Sequence, residues 1–436
     1  MLTFEALAIL ILGFAGGRFV SGGFVGDFFN VHPQFMLYWK LTPMGFFIDL
    51  LALLGFLILT YGAQRAWSKA RTYRFIFLLG VVMFSCVTAY QLLGRVVYGD
   101  PYGTHDGTVE TEIAASMILH GKNPYAEDFS TTSFARFHQS RPSINQAAIM
   151  LAYPYPPLVP LLTLPLVWMS ENFHSVPDGR ILTMLSYAVL CMLLLRHVRS
   201  QQHRTWLVIA LLLNPFVFVY PILGLNDIFF VLFLVLAALA GRHRMWVYSG
   251  MALGAAVAAK QTALLAAPLW LWWMWCMYRD GHVNRRTSIQ SVSAAALTVL
   301  FLYGPFLLWN PSAMWNDLML FVSGSIPRTY PIGGDSLWQL GLLLQSIPNA
   351  FVSTAHRIPV ILTTLIVLPF VAVWIRRRPT AAQWLTSVMV ATIAVSVVNR
   401  FFFENYFSAI LALGIAAYAM QLRDQEDGIA PLVAKE

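Results

Sequence analysis

The chain has 436 residues, of which 58% are hydrophobic and only 11% charged, with a formal net charge of +8 and a mean hydropathy of +0.65. A soluble domain is about a quarter charged, so this composition excludes an ordinary water-exposed globule and points to lipid as the surrounding solvent. The positive excess fits basic loops anchored at a membrane surface and excludes nucleic acid as a partner. Cys86, Cys191 and Cys276 have the spacing of neither a zinc site nor a disulfide framework.

A helix needs roughly 20 apolar residues to cross the hydrocarbon core. Such stretches fall at 2–24, 43–63, 75–98, 181–196, 205–223, 227–241, 245–259, 262–278, 288–309, 358–375, 383–399 and 403–421. Strand-like alternation over about ten residues does not recur, which argues against a β-barrel. The predicted fold is all-α: a polytopic transmembrane helical bundle of about 12 spans. A large external loop region would carry short juxtamembrane helices.

The whole chain, 1–436, reads as one integral membrane domain. Its N-terminal spans occupy 1–98, and an external loop with a Pro-rich hairpin occupies 99–180. Central spans cover 181–309, a second external segment 310–357, and the last spans and tail 358–436. The run Pro157–Met169, with Pro157, Pro160 and Pro165, is expected as a re-entrant or surface helix rather than a span. Arg and Lys clusters at 65–74, 196–204, 242–244, 279–286, 376–378 and 423–435 all fall on one side of these spans. By the positive-inside rule that side is cytoplasmic, with both termini on it.

The remaining charges gather on the other side: Asp106, Glu110 and Glu112 in the first loop, Asn226 and Asp227 at the mouth of one span, and Lys260 at the mouth of another. Arg328 and Asp335 lie in the second segment, and Arg400 and Glu404 flank the last turn. Charges so near hydrocarbon tend to face one another or a wet cavity. Lys260 has two readings, a side chain snorkelling to the interface or a cation for a phosphate or carboxylate. Asn226 and Asp227 read either as helix N-caps or as pocket residues. Asp106 and Glu110 read either as an acidic first turn or as a carboxylate base.

An external carboxylate, external cations and a membrane-embedded groove suit a lipid-linked sugar donor. The phosphate leaving group needs a cation, and the acceptor hydroxyl needs a base. No His/Asp/Glu spacing is a strong metal signature, so no metal or cofactor is assigned, although a divalent ion is not excluded; His105 beside Asp106 is more often structural than a ligand.

The stretch Asp106–Tyr125, with Ala114 and Ala115 and the Gly121–Tyr125 turn, followed by Tyr155-Pro156-Pro157, Asn226-Asp227 and Lys260-Gln261, resembles the polyprenyl-phosphate-sugar-dependent glycosyltransferases of the GT-C fold. The nearest type is family 87, which is mannosyltransferase-like. The resemblance covers roughly residues 95 to 275, leaves the part after 310 unmatched, and differs in that three spans, not one, precede the aspartate.

The resemblance implies an inverting hexosyl transfer, with mannose as a candidate sugar, from a polyprenyl-phosphate donor to a glycan or lipid acceptor on the external face. This is a cell-envelope reaction at the cell membrane. Asp106 would be the base, with Glu110 and Glu112 as fallbacks. Lys260, with Arg328 or Arg400, would hold the donor phosphate. Gln261, Asn226, Asp227, Asp335 and Glu404 would shape the pocket, and Tyr125 and Tyr155 would line it or pack at the interface. The rival reading is a multi-spanning transporter or lipid flippase, which would show symmetric halves and mid-span polar residues.

Overall fold

The computed structural model describes residues 4–20, 42–98, 104–135, 152–173, 177–326 and 357–428, together with 175, 333–334, 336–338 and 340. Among the described residues, every apolar stretch named above is largely helical. The helices are α1 (Phe4–Val20), α2 (Thr42–Gln64), α3 (Lys69–Tyr98), α4 (Asp106–Leu119), α5 (Leu158–Asn172) and α6 (Arg180–His197). They continue with α7 (Gln201–Leu212), α8 (Pro215–Leu223), α9 (Asp227–Arg242), α10 (Trp246–Ala259), α11 (Ala266–Arg279) and α12 (Arg285–Trp309). The last are α13 (Pro311–Trp315), α14 (Arg357–Arg377), α15 (Ala381–Val398) and α16 (Glu404–Glu426).

Among the described residues, seven helices are long and apolar enough to cross a membrane, or eight if the bent pair α7 and α8 counts as one. The expectation was about 12 spans, reached by counting apolar stretches. The shortfall lies in α1, α9, α10 and α11, with 17, 16, 14 and 14 residues. At 1.5 Å per residue each is shorter than the roughly 30 Å hydrocarbon core.

The bend between α7 and α8 is 49° and has a covalent cause. Pro215 at the start of α8 lacks a backbone N–H, and Asn214 caps the new helix by accepting from the Phe216 N–H at 3.1 Å. α8 ends on Gly224 in the left-handed region, φ +90°, where a Cβ would strike Thr108 and Arg180. Only glycine suits that position.

The basic loops come together at one end of the bundle. Asp424 and Asp427 pair with Arg242, Asp427 also with Arg199, and Glu426 accepts from the backbone of Arg199 and Ser200. Lys69 reaches Gln202, and Arg376 reaches Asp280. Beneath them a tryptophan stack, Trp246–Trp273–Trp384, ties α10, α11 and α15, with ring centroids 4.9 and 5.4 Å apart. The agreement that the sequence suggested between basic loops is therefore present as direct contact.

The opposite end carries α4, α5, the 224–226 turn, residues 260–265, α13 and the 399–403 turn. A second small core sits there, made of Val109, Tyr125, Phe129, Tyr153, Phe306 and Leu318. It packs residues 104–135 and 152–155 onto the tip of α12. Pro157–Met169 is helical, as α5, and lies along α4. A two-residue parallel pairing of Gly333–Gly334 with Phe401–Phe402 brings the second external segment against the α15–α16 turn.

Close helix packing relies on small residues. A Cβ at Gly250 of α10 would fall on the Ser291 carbonyl of α12. Gly250→Leu should therefore lower stability by about 1–3 kcal/mol, read as a lower midpoint in thermal unfolding of the detergent-solubilised protein. An unchanged midpoint would show that α10 and α12 do not pack this closely.

Candidate active site at the polar end

Three groups of polar side chains occupy this end. The first is carboxylic. Asp106 opens α4 with its side chain about one-fifth exposed, accepts from the Gly107 N–H at 2.8 Å and lies 2.9 Å from His105 Nδ1. Glu110, one turn on, is buried, and its Oε1 has no hydrogen-bond partner among the described residues. Burial first, then the negative charges of Asp106 and Asp317, push its carboxyl well above the usual range.

Asp317 comes from a π-helical turn, Asn316–Phe321, directly after α13, a geometry common at functional sites. It is buried and accepts from the Tyr153 N–H at 2.8 Å. Burial drives its carboxyl from 3.8 up to about 7, against the pull of that N–H.

The second group is a buried ion cluster. Arg95, in the last turn of α3, forks onto Glu112 of α4 at 2.8 and 2.6 Å and lies 3.2 Å from Asp178. Asp178 in turn binds Arg180 at 2.6 Å, and the Gly179 N–H donates to Glu112 at 2.6 Å. Burial raises the Glu112 carboxyl, opposed by Arg95 and Gly179. Asp178, by contrast, is held below the usual range: burial works to raise it, but Arg180 and Arg95 outweigh that. Two cations and two anions balance here and fasten α3, α4 and α6 to one another. Glu112 is thus committed to structural contacts on the side of α4 away from Asp106.

The third group centres on Lys260. Its residue is only 7% exposed, so the ammonium does not snorkel to solvent. Nζ lies 2.5 Å from Asp227 Oδ1, 3.3 Å from Asn226 Oδ1 and 5.2 Å from the centroid of the Tyr406 ring. Asn405 donates to the other oxygen of Asp227 at 2.6 Å. The apolar stretches 245–259 and 262–278 are separated here by a change of backbone. α10 stops at Ala259, Lys260 is extended (φ −156°, ψ 136°), and Gln261–Leu265 is a 3₁₀ turn. The break lets the lysine turn sideways into the bundle. Asn226 makes no side-chain capping bond at the start of α9, because its oxygen faces Lys260 instead.

Backbone joins the first and third groups. The His105 N–H donates to the Leu223 carbonyl at 2.9 Å, and the Thr108 hydroxyl to the Gly224 carbonyl at 2.7 Å. The start of α4 is thereby bonded to the turn that leads into Asn226-Asp227. On the other flank, Gln261 donates to the Pro154 carbonyl at 2.7 Å. The neighbouring Tyr155 sets its hydroxyl against Gly107, leaving no room there for a side chain. Tyr125 holds this strip by donating to the Tyr155 carbonyl at 2.9 Å.

With that geometry in view, the chain's relatives can be named. Residues 153–426 match the family model of glycosyltransferase family 87. The chain belongs to glycosyltransferase family 87. No curated protein and no solved structure matches it. The family match corrects the extent of the resemblance. It begins after the Asp106–Tyr125 stretch and runs on to 426, so the part after 310, unmatched from motifs alone, is family sequence. It takes in Tyr155, Asn226-Asp227, Lys260-Gln261 and the 399–406 turn. Together with the apolar helices, family 87 membership marks a membrane glycosyltransferase.

Arg400 is buried under Gly324, itself at φ +69°, where its guanidinium fills the space of a Cβ. Burial, with the like charge of Arg357, lowers its guanidinium to about 10. It joins the second external segment to the last turn. Arg328 and Asp335, and the Glu404 side chain, lie outside the described residues. Among the described residues, no three His, Cys, Asp or Glu side chains stand close enough to hold a metal ion.

Motif reading missed Arg95, Asp178, Arg180, Asp317 and Tyr406. Arg95 and Asp317 carried a usable signal, a single charge in an apolar run.

Asp317 yields a pH prediction. Between its unfolded value of 3.8 and about 7, the folded protein keeps a proton that the unfolded chain has released. Stability therefore falls as pH rises through that window and levels off above it. Asp317→Asn retains the acceptor for Tyr153 but cannot titrate. Its melting midpoint relative to the parent should rise between pH 4 and pH 8. A difference independent of pH would show that Asp317 does not titrate there.

Proposed function

We propose that this family 87 protein transfers a sugar, with mannose the first candidate, from a polyprenyl-phosphate donor to a glycan or lipid acceptor at the non-cytoplasmic face of the cell membrane. The helices would cross the membrane several times, with the basic end and both termini in the cytoplasm. The observation that carries this reading is the junction at the polar end, where backbone bonds hold the start of α4, with Asp106, against the turn leading to Asp227 and Lys260. One site then has a partly exposed carboxylate on one side and a buried ammonium on the other.

In this mechanism the acceptor hydroxyl oxygen attacks the anomeric carbon of the donor sugar. The bond from that carbon to the phosphate oxygen breaks, and the lipid phosphate departs with the electron pair. Asp106 takes the hydroxyl proton, and a single displacement inverts the anomeric centre. Lys260 stabilises the charge that develops on the phosphate. Asn226 and Asp227 shape the pocket beside it, Gln261 and Tyr155 form the wall between the two centres, and Tyr125 supports that wall.

In this reading Arg328 or Arg400 assists Lys260 with the donor phosphate, and Asp335 and Glu404 are further candidates for substrate binding. Glu110, enclosed and driven toward its neutral form, and Glu112, bound to Arg95, suit the base role less well than Asp106. Family membership favours this enzyme over a transporter.

Asp106→Asn should lower transfer from a labelled lipid-phosphate sugar by about 10²–10⁴-fold, with expression and melting midpoint near those of the parent. Transfer near the parental rate would remove Asp106 as the base.

A further inference from the structure

The Asp227–Lys260 pair is closer than most, yet its members do not depend on each other alone. Asp227 is the first residue of α9, where the positive end of the helix dipole favours an anion. Its Oδ2 already receives the Asn405 amide at 2.6 Å. Its Oδ1, 2.5 Å from the ammonium, accepts no aligned hydrogen bond, so the contact is ionic only. Lys260 has its own reserves in the Asn226 oxygen at 3.3 Å and the Tyr406 ring at 5.2 Å. Ordinarily, parting a buried ion pair strands a charge and costs several kcal/mol. Here both charges keep a partner when the pair opens.

The far C-terminal helix supplies the reserves on both sides. Asn405 and Tyr406 are adjacent on α16, one facing the carboxylate and the other the ammonium. A pair built only to hold α9 to α10 has no need of them.

We infer that Asp227 is an exchangeable counter-ion for Lys260: an incoming phosphomonoester or phosphodiester displaces the Asp227 carboxylate from the ammonium, while Asn405 retains the carboxylate and Tyr406 the ammonium. Asp227 is then a specificity-determining residue. A neutral ligand cannot displace it, whereas an anion can, and an empty site carries no net charge into the membrane. Asn405 and Tyr406 are positioning residues that act through Asp227 and Lys260. The inference rests on the proposed placement of the donor phosphate at Lys260.

The test measures affinity of the full-length, detergent-solubilised protein for farnesyl phosphate, with farnesol as the neutral control. Asp227→Asn removes the competing charge and keeps the shape, so farnesyl phosphate should bind roughly tenfold more tightly, with farnesol unchanged. Asn405→Leu removes the reserve partner of Asp227 and should weaken farnesyl phosphate roughly fivefold. Lys260→Gln should abolish the preference for farnesyl phosphate over farnesol. Unchanged or weaker phosphate binding in Asp227→Asn, with the preference still lost in Lys260→Gln, would overturn the exchange while leaving the phosphate site in place.

A preference that survives Lys260→Gln would remove the phosphate site itself. If Asp227→Asn does not fold, the double variant Asp227→Asn/Lys260→Gln, in which no charge is left unpaired, and Asn405→Leu decide the matter. A double variant that folds without phosphate preference, beside an Asn405→Leu protein of weakened affinity, supports exchange. Parental affinity in Asn405→Leu overturns it.

Discussion

The polar end depends on one junction, the contact of α4 with the turn after α8. Gly224 at φ +90° lets the chain reverse where Thr108 and Arg180 leave no space for a side chain. Its carbonyl and that of Leu223 then accept from Thr108 and His105. These are carbonyls at a helix C-terminus, which would otherwise lack partners. Satisfying them with the start of α4 couples the geometry of Asp106 to that of Asn226 and Asp227, two and three residues beyond Gly224. Behind α4, the Arg95–Glu112–Asp178–Arg180 cluster resists any displacement of that helix, because moving one partner would strand a buried charge.

Much of this was legible in the sequence. Helix positions followed from long apolar runs, and the grouping of the basic loops followed from their spacing; Asp424, Glu426 and Asp427 contact two of the other loops, at Arg242 and at Arg199–Ser200. The Asn226-Asp227 and Lys260-Gln261 pairs stood out because polar residues interrupt apolar stretches, which is costly without purpose. What could not be read was pairing at long range. Nothing local to Lys260 indicates that its partner is Asp227, or that Asn405 and Tyr406, near the end of the chain, complete the group. Counting apolar stretches gave about 12, whereas seven or eight of the described helices are long enough to cross a membrane, and a stretch such as α10 has only 14 residues.

The charge pattern divides the labour of the molecule. At the basic end, carboxylates and guanidinia pair at the rim of the bundle, where each pair is worth little individually. At the polar end the ionisable groups are buried, and their states are set by desolvation as much as by neighbours. Glu110 and Asp317 are driven toward the neutral form by their enclosure, whereas Asp106 is less enclosed, with its side chain about one-fifth exposed. Family 87 sequence covers the Lys260 side of this arrangement and the last helices, while the Asp106 helix lies ahead of the matched region and is tied to it by the backbone junction.

The most direct measurement is an experimental structure of the protein in lipid with a non-hydrolysable polyprenyl-phosphate sugar bound. The phosphate should lie within hydrogen-bond distance of Lys260 Nζ, with the anomeric carbon turned toward Asp106 and space for an acceptor hydroxyl between them. A donor whose phosphate rests on other cations, with Lys260 still closed on Asp227 and Asp106 remote from the sugar, would contradict a single site at this end.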